Sequence, residues 1–231
     1  SSLVGSEMCI RDRDYTENNT DPLQPFWNRA TQGTYAPGST FKPVTAIAAL
    51  ETGIITPKST ILTKGVYHYG DWAYKCWLYN QNGGTHGRID VTEAIKVSCN
   101  YFFYDIGRRT GISTIARYAS AFGLGEPTGI EIPEKIGVMT TPDYVNSLDG
   151  HYWTDGQTLT AAIGQSYSLF TPLQLANYVA TLAGGGTRYN AHLLKEVRTY
   201  DSAELVDGYD EPPAEIIDIE PELSLIHISE P

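Results

Sequence analysis

Ser39 and Lys42 stand three residues apart in the run Ser39-Thr40-Phe41-Lys42, directly after Tyr35-Ala36-Pro37-Gly38. Proline and glycine break the chain there, and the apolar run that follows to Glu51 has helical spacing with Gly53 as its stop. Pro43 is tolerated only in a first turn, where its missing N–H has no helical partner to lose, so a helix is expected to start near Ser39. Side chains at i and i+3 share a helix face, which puts the Lys42 amine within reach of the Ser39 oxygen. A serine hydroxyl is a poor nucleophile at its own pKa and needs an adjacent base; a lysine held partly out of water can be that base. The positive end of the helix would help to stabilise negative charge developing on an attacked carbonyl. By itself the pair is weak: about one S-x-x-K arises by chance in a chain of this size. A capping serine followed by a solvated lysine reads equally well.

A second group, Ser98-Cys99-Asn100, falls between two expected helices. Asp90 caps the first, with Glu93 three residues on, and it runs through Lys96. The second carries Phe102, Phe103 and Ile106 on one face and stops near Gly111. A loop between helices can present a hydroxyl and a carboxamide into a cleft. Ser98 would pass a proton towards Lys42 and a leaving amine, and Asn100 would hydrogen-bond a substrate carbonyl and Lys42. The competing reading is an interhelical turn with Asn100 as N-cap. His68 and His86 have no acidic partner pattern and are expected to be loop or packing residues. Trp72, Trp77 and Trp153 could line a peptide groove, although large aromatics more often serve the core. Gly184-Gly185-Gly186 lacks the Lys-Ser/Thr of a phosphate loop and reads as a helix stop.

S-x-x-K followed by S-x-N is part of the motif set of penicillin-binding proteins and class A β-lactamases, whose third member is K-T-G. More specific is the surrounding text. Asn28 to Gly53 (NRATQGTYAPGSTFKPVTAIAALETG) closely resembles class B penicillin-binding proteins, with proline and glycine just before the nucleophile. The resemblance continues in Gly84-Thr85-His86-Gly87, in Ser98 to Gly111 (SCNYFFYDIGRRTG), in Phe122 to Ile132 (FGLGEPTGIEI) and in Ala162 to Ala176 (AIGQSYSLFTPLQLA). It implies an α+β, β-lactamase/transpeptidase-like fold, a helical subdomain packed on an antiparallel sheet. It further implies a serine D,D-transpeptidase that crosslinks peptidoglycan stem peptides through an acyl-enzyme at Ser39. Lys42, Ser98 and Asn100 would take the roles given above. Penicillin and other β-lactams would acylate the same serine, and neither metal nor organic cofactor is required.

The implied setting is a membrane-anchored cell-wall synthesis complex on the extracytoplasmic face, serving peptidoglycan biosynthesis and cell shape, with the anchor in an N-terminal segment outside this sequence. A β-lactamase shares the acylation step but must also deacylate with water; a non-catalytic β-lactam sensor or scaffold would acylate without crosslinking. No K-T-G occurs in the chain, so the expected sheet is incomplete at its C-terminal end.

Ser113 is expected to cap a third helix with Ile115, Ala119 and Phe122 as its stripe, and Thr171-Pro172 to open a fourth that runs to Leu182. His192 to Leu205 and Ala214 to Ile219 read as strands around a turn at Asp207-Gly208. Helices before strands suggest an α+β layer domain. With 231 residues, 41% hydrophobic and 19% charged, the chain can bury one core. A net charge of -11 and a pI near 4.8 argue against nucleic-acid binding, which needs a basic face. From Asp201 to Glu222 there are many carboxylates and no Lys or Arg, the mark of a solvated stretch.

No apolar run approaches the ~20 residues of a membrane span, and the N-terminus lacks the pattern of a secretory signal. Cys9, Cys76 and Cys99 support neither a disulfide scaffold nor paired C-x-x-C zinc ligands; an oxidising compartment would permit a Cys76–Cys99 disulfide, but two separate buried thiols are expected. Residues 1–13 and 223–231 resemble translated sequencing-adapter read-through, which leaves 14–222 as a partial transpeptidase domain.

Overall fold

The computed structural model describes residues 15–219; the ends expected to be adapter read-through, 1–13 and 223–231, and Cys9 within the first of them lie outside the described residues. Two short helices, α1 (Tyr15–Thr20) and α2 (Arg29–Gln32), precede a 3-10 turn at Gly38–Phe41 that runs directly into α3 (Lys42–Glu51). A single helix from Ser39 would require Pro43 to donate to the Ser39 carbonyl. Proline has no N–H, so Lys42 takes that carbonyl instead and closes a 3-10 turn. From Val44 to Leu50 every residue of α3 is buried, as befits a helix with almost no polar face.

Next come β1 (Ile61–Thr63), the hairpin of β2 (Val66–Tyr69) and β3 (Trp72–Lys75), α4 (Trp77–Asn82) and β4 (Gly87–Ile89). The hairpin turns through Gly70, whose φ of +56° a side chain would strain. Then α5 (Val91–Lys96), α6 (Asn100–Thr110) and α7 (Ile112–Ala121) pack around α3. Asp90 caps α5 as expected, accepting from the Glu93 N–H at 2.9 Å. On α6, Phe102, Phe103 and Ile106 are fully buried. Gly111 both ends α6 and begins α7, so Ser113 lies inside the first turn rather than capping it. Phe122 follows α7 and sets its ring edge-on against Tyr178, with centroids 5.6 Å apart.

Three more helices, α8 (Pro142–Ser147), α9 (Gly156–Ala161) and α10 (Pro172–Ala183), complete the helical part. Thr171 and Gln174 form a reciprocal capping box at the start of α10. At Gly107 on α6 an added Cβ would strike the Ala162 side chain, so glycine there lets α6 lie close against the end of α9. The remaining strands are β5 (Thr187–Arg188), β6 (Glu196–Arg198), β7 (Leu205–Gly208) and β8 (Glu215–Ile216).

Among the described residues, strands pair only in antiparallel twos: β1 with β4, β2 with β3, β5 with β8 and β6 with β7. The long strand expected from His192 to Leu205 is instead folded back on itself. The chain reverses at residues 200–202, where Thr199 Oγ1 accepts from the Glu204 N–H at 2.9 Å, and Asp207-Gly208 sit in β7 opposite Val197 and Glu196. Side-chain hydrogen bonding by Thr199 therefore wins over the Asp-Gly turn signal. Among the described residues no helix is long and apolar enough to cross a membrane.

Candidate active site

Ser39 is exposed on the 3-10 turn, and everything behind it is fixed. The Gly38 N–H donates to the Gly164 carbonyl at 2.9 Å, and Thr40 Oγ1 donates to the Pro37 carbonyl at 2.8 Å. The buried Tyr178 hydroxyl donates to the Thr40 carbonyl at 3.1 Å, and Phe41 stacks on Phe170 with centroids 6.2 Å apart. Gly164 has a φ of +72°, and a Cβ on it would collide with the Gly38 carbonyl and lie 2.8 Å from Phe41 Cβ. Both facts require glycine. Gly164→Ala is therefore expected to cost roughly 2 kcal/mol or more and to displace the nucleophile turn. Thermal unfolding and covalent labelling of Ser39 by an acylating probe read the two effects; a variant as stable and as readily labelled as the parent would remove Gly164 as a brace.

Lys42 is 2% exposed, with its ammonium 5.6 Å from the Phe103 ring centroid. Its Nζ donates to the Ser98 carbonyl at 2.9 Å, to Ser98 Oγ at 2.8 Å and to Asn100 Oδ1 at 2.7 Å. Ser98 Oγ in turn donates to Ser39 Oγ at 3.0 Å. The sequence expectation of a direct Ser39–Lys42 contact gives way to a link through Ser98, because Nζ is drawn into the acceptors of the Ser98–Asn100 loop. Burial lowers the Lys42 pKa from 10.5 to about 8, partly opposed by the electrostatic influence of the nearby Cys76 and Cys99. Roughly one lysine in ten is then neutral at pH 7. A neutral amine has two N–H groups for the Ser98 and Asn100 carbonyl oxygens and one lone pair left for the Ser98 hydroxyl. The same contacts, read with one proton fewer, form a continuous hydrogen-bonded series from Ser39 through Ser98 to Lys42.

The loop that holds Ser98 is a Schellman helix end. The Ser98 N–H bonds the Ile95 carbonyl at 3.0 Å and the Cys99 N–H the Ala94 carbonyl at 2.9 Å. Ser98 occupies the left-handed position of that motif, with φ of +50°, where glycine is the usual residue. Asn100 is the first residue of α6 and its side chain caps nothing, which separates it from the N-cap reading.

Sequence reasoning also missed one cluster. Cys76, just before α4, and Cys99 face each other as free buried thiols with sulfurs 4.0 Å apart, and His86 Nδ1 lies 3.8 Å from Cys76 Sγ. The contact between the two sulfurs pulls the Cys76 thiol down and pushes Cys99 up. The donor atoms of Cys76, His86 and Cys99 all lie within 4.8 Å of one another, and His86 Nε2 is buried without a partner among the described residues. Two thiols and an imidazole are donors that could hold zinc. The spacing, 10 and then 13 residues, is too irregular for any sequence motif to have flagged. Of the tryptophans, Trp72 is 72% exposed and, with Tyr69 and Tyr74, lines a cleft of about 590 Å³ against the start of α9. Trp77 instead sits over the loop, and neither joins the core.

The sequence matches the penicillin binding protein transpeptidase domain over residues 8–220. The chain belongs to the penicillin-binding protein transpeptidase family. Among curated relatives of this transpeptidase domain, the peptidoglycan D,D-transpeptidase MrdA of Haemophilus influenzae is 32% identical over 204 residues, 88% of this chain and 30% of that protein. Among solved structures, Pseudomonas aeruginosa PBP2 in complex with WCK 5153 superposes with a TM-score of 0.78 at 30% identity, covering 93% of this chain and 47% of that one. A chain from a peptidoglycan synthase complex that coordinates polymerization and crosslinking superposes at 0.77 with 32% identity, covering 93% of this chain and 35% of that one. The domain thus spans under a third of the curated relatives' length and carries the α+β fold of penicillin-binding transpeptidases.

Proposed function

We propose that this domain catalyses D,D-transpeptidation of peptidoglycan stem peptides, with Ser39 as nucleophile, Lys42 as base, Ser98 as proton relay and Asn100 as holder of both Lys42 and the substrate amide. The hydrogen-bonded series Ser39, Ser98, Lys42 carries the reading. As Ser39 Oγ bonds to the carbonyl carbon of the penultimate D-alanine, its proton passes through Ser98 to Lys42. The carbon–nitrogen bond then breaks, and the proton returns by the same route to the departing D-alanine nitrogen. An amine from a second stem peptide attacks the ester, gives up a proton and restores the Ser39 hydroxyl. A β-lactam offers a strained amide to the same serine, but its amine stays tethered and the acyl-enzyme persists.

The MrdA relative and the synthase-complex structure support the same assignment, with stem peptides, β-lactams and a membrane-associated cell-wall complex as partners on the extracytoplasmic face. Residues 14–222 would be the domain's share of this chain. The test is mass spectrometry of the protein after fluorescent penicillin: the adduct maps to Ser39 and lasts far longer than a catalytic turnover. An adduct on Ser98, or one hydrolysed within seconds as a β-lactamase would do, overturns the assignment. Asn100→Ala should slow acylation about 5- to 150-fold, the effect of removing a hydrogen bond of about 1–3 kcal/mol. An unchanged rate would leave Asn100 without a part in the chemistry.

A further inference from the structure

We infer that Trp77 is a positioning residue for Ser98, acting through the backbone carbonyl of Val97. This rests on the proposed function, in which Ser98 relays the proton between Ser39 and Lys42. Val97 is the residue at which α5 ends, and its carbonyl is one of those that a helix C-terminus leaves without an intrahelical partner. The indole Nε1–H of Trp77 donates to it at 3.1 Å.

The peptide joining Val97 to Ser98 is thereby held at both edges, its carbonyl by Trp77 and its N–H by the Ile95 carbonyl at 3.0 Å. The plane of that peptide, together with the Ser98 φ of +50°, sets the direction of the Ser98 Cα–Cβ bond and so helps to place Ser98 Oγ between Lys42 Nζ, at 2.8 Å, and Ser39 Oγ, at 3.0 Å. Restraint is needed here, because a serine with φ of +50° has lower-energy conformations at negative φ. Within the loop the Schellman bonds hold the N–H groups of Ser98 and Cys99, but neither holds the Val97 carbonyl. Trp77 supplies that hold from outside, on the first residue of α4. Its own place is set by the Cys76 N–H, which donates to the Gly65 carbonyl at 2.8 Å, and by its ring, which lies 5.5 Å from that of His86. With 43% of its surface exposed, Trp77 contributes little to the core, which leaves the directed N–H as its main structural output.

The experiment uses Trp77→Phe, which keeps a ring and removes the donor. The acylation rate constant for penicillin should fall about 10-fold, with the noncovalent dissociation constant unchanged within about twofold, because positioning acts on the proton relay and not on ligand contact. In a Ser98→Ala background the same substitution should have no further effect, since the residue through which it acts is gone. Equal loss in both backgrounds, or a loss confined to binding, would overturn the inference. The indole N–H gives a readout independent of chemistry: by NMR it should exchange with solvent more slowly than an exposed indole. A freely exchanging indole overturns the positioning role even in an active enzyme. A protected indole in a protein that never acylates overturns the proposed function, and with it any role for Trp77 in that function.

Discussion

Ser39→Ala is expected to abolish covalent labelling by penicillin, a loss on the order of 10⁶-fold in acylation rate, comparable to removing the nucleophile of other serine acyl-transfer enzymes. Alanine removes the oxygen that must bond to the carbonyl carbon, and Ser98 cannot replace it. Ser98 Oγ already sits between Ser39 Oγ and Lys42 Nζ and serves both. The fold should be unaffected, since the Ser39 side chain is exposed and its turn is held by the backbone of Gly38, Thr40 and Lys42. Gel fluorescence after penicillin, with thermal unfolding as control, is the measurement. Residual labelling that maps to another serine would show that the nucleophile has been misassigned.

The second large effect concerns Lys42 and has a sign that can be worked out in advance. Its folded-state pKa of about 8 lies below the 10.5 of free lysine because burial disfavours the ammonium. Acylation should therefore rise tenfold per pH unit below 8 and level off above it, as the neutral amine becomes the prevailing form. Lys42→Arg, permanently protonated, should lose about 10³-fold or more across the whole range. Stability follows the same titration. Below pH 8 the folded state holds a desolvated charge that the unfolded chain keeps in water, a cost of about 3 kcal/mol from the pKa difference. The cost is relieved as pH rises from 8 to 10.5 and is gone above that. Urea unfolding of the parent and of Lys42→Met at a series of pH values isolates this group. The parent should gain about 3 kcal/mol relative to the variant between pH 7 and 10.5. A gap that stays constant, or a rate flat from pH 6.5 to 9, would remove Lys42 as the base.

Local sequence made much of the helical framework legible because caps act over three or four residues. Asp90 with Glu93 and Thr171-Pro172 with Gln174 each place a carboxylate, hydroxyl or amide where only the adjacent backbone can use it, and the helices begin there. The form of the first turn at Ser39 is local in origin too: Pro43 permits a helical start there, and its missing N–H leaves the Ser39 carbonyl to Lys42, which makes that turn 3-10. At Asp207-Gly208 a genuine turn signal lost to Thr199, whose hydroxyl offers the backbone a closer partner at the residue where the chain reverses.

What the sequence by itself determined was which groups meet at the proposed site: a serine and a lysine one turn apart after Pro-Gly, and a hydroxyl and carboxamide in Ser98-Cys99-Asn100. Those follow from residue type and short spacing, the quantities a sequence carries directly. Only the tertiary structure decided how they connect. Lys42 reaches across 56 residues of chain to Ser98 rather than back to Ser39, because the desolvated ammonium needs three acceptors and the Ser98–Asn100 loop provides them. Gly164 supports the nucleophile turn, Trp77 bonds Val97 and Cys76 meets Cys99 in the same way, through contacts between segments far apart in the chain. No local pattern encodes these contacts, because burial and direction at each site are set by the packing of α3 against α5, α6 and the end of α9, which exists only once the core has formed.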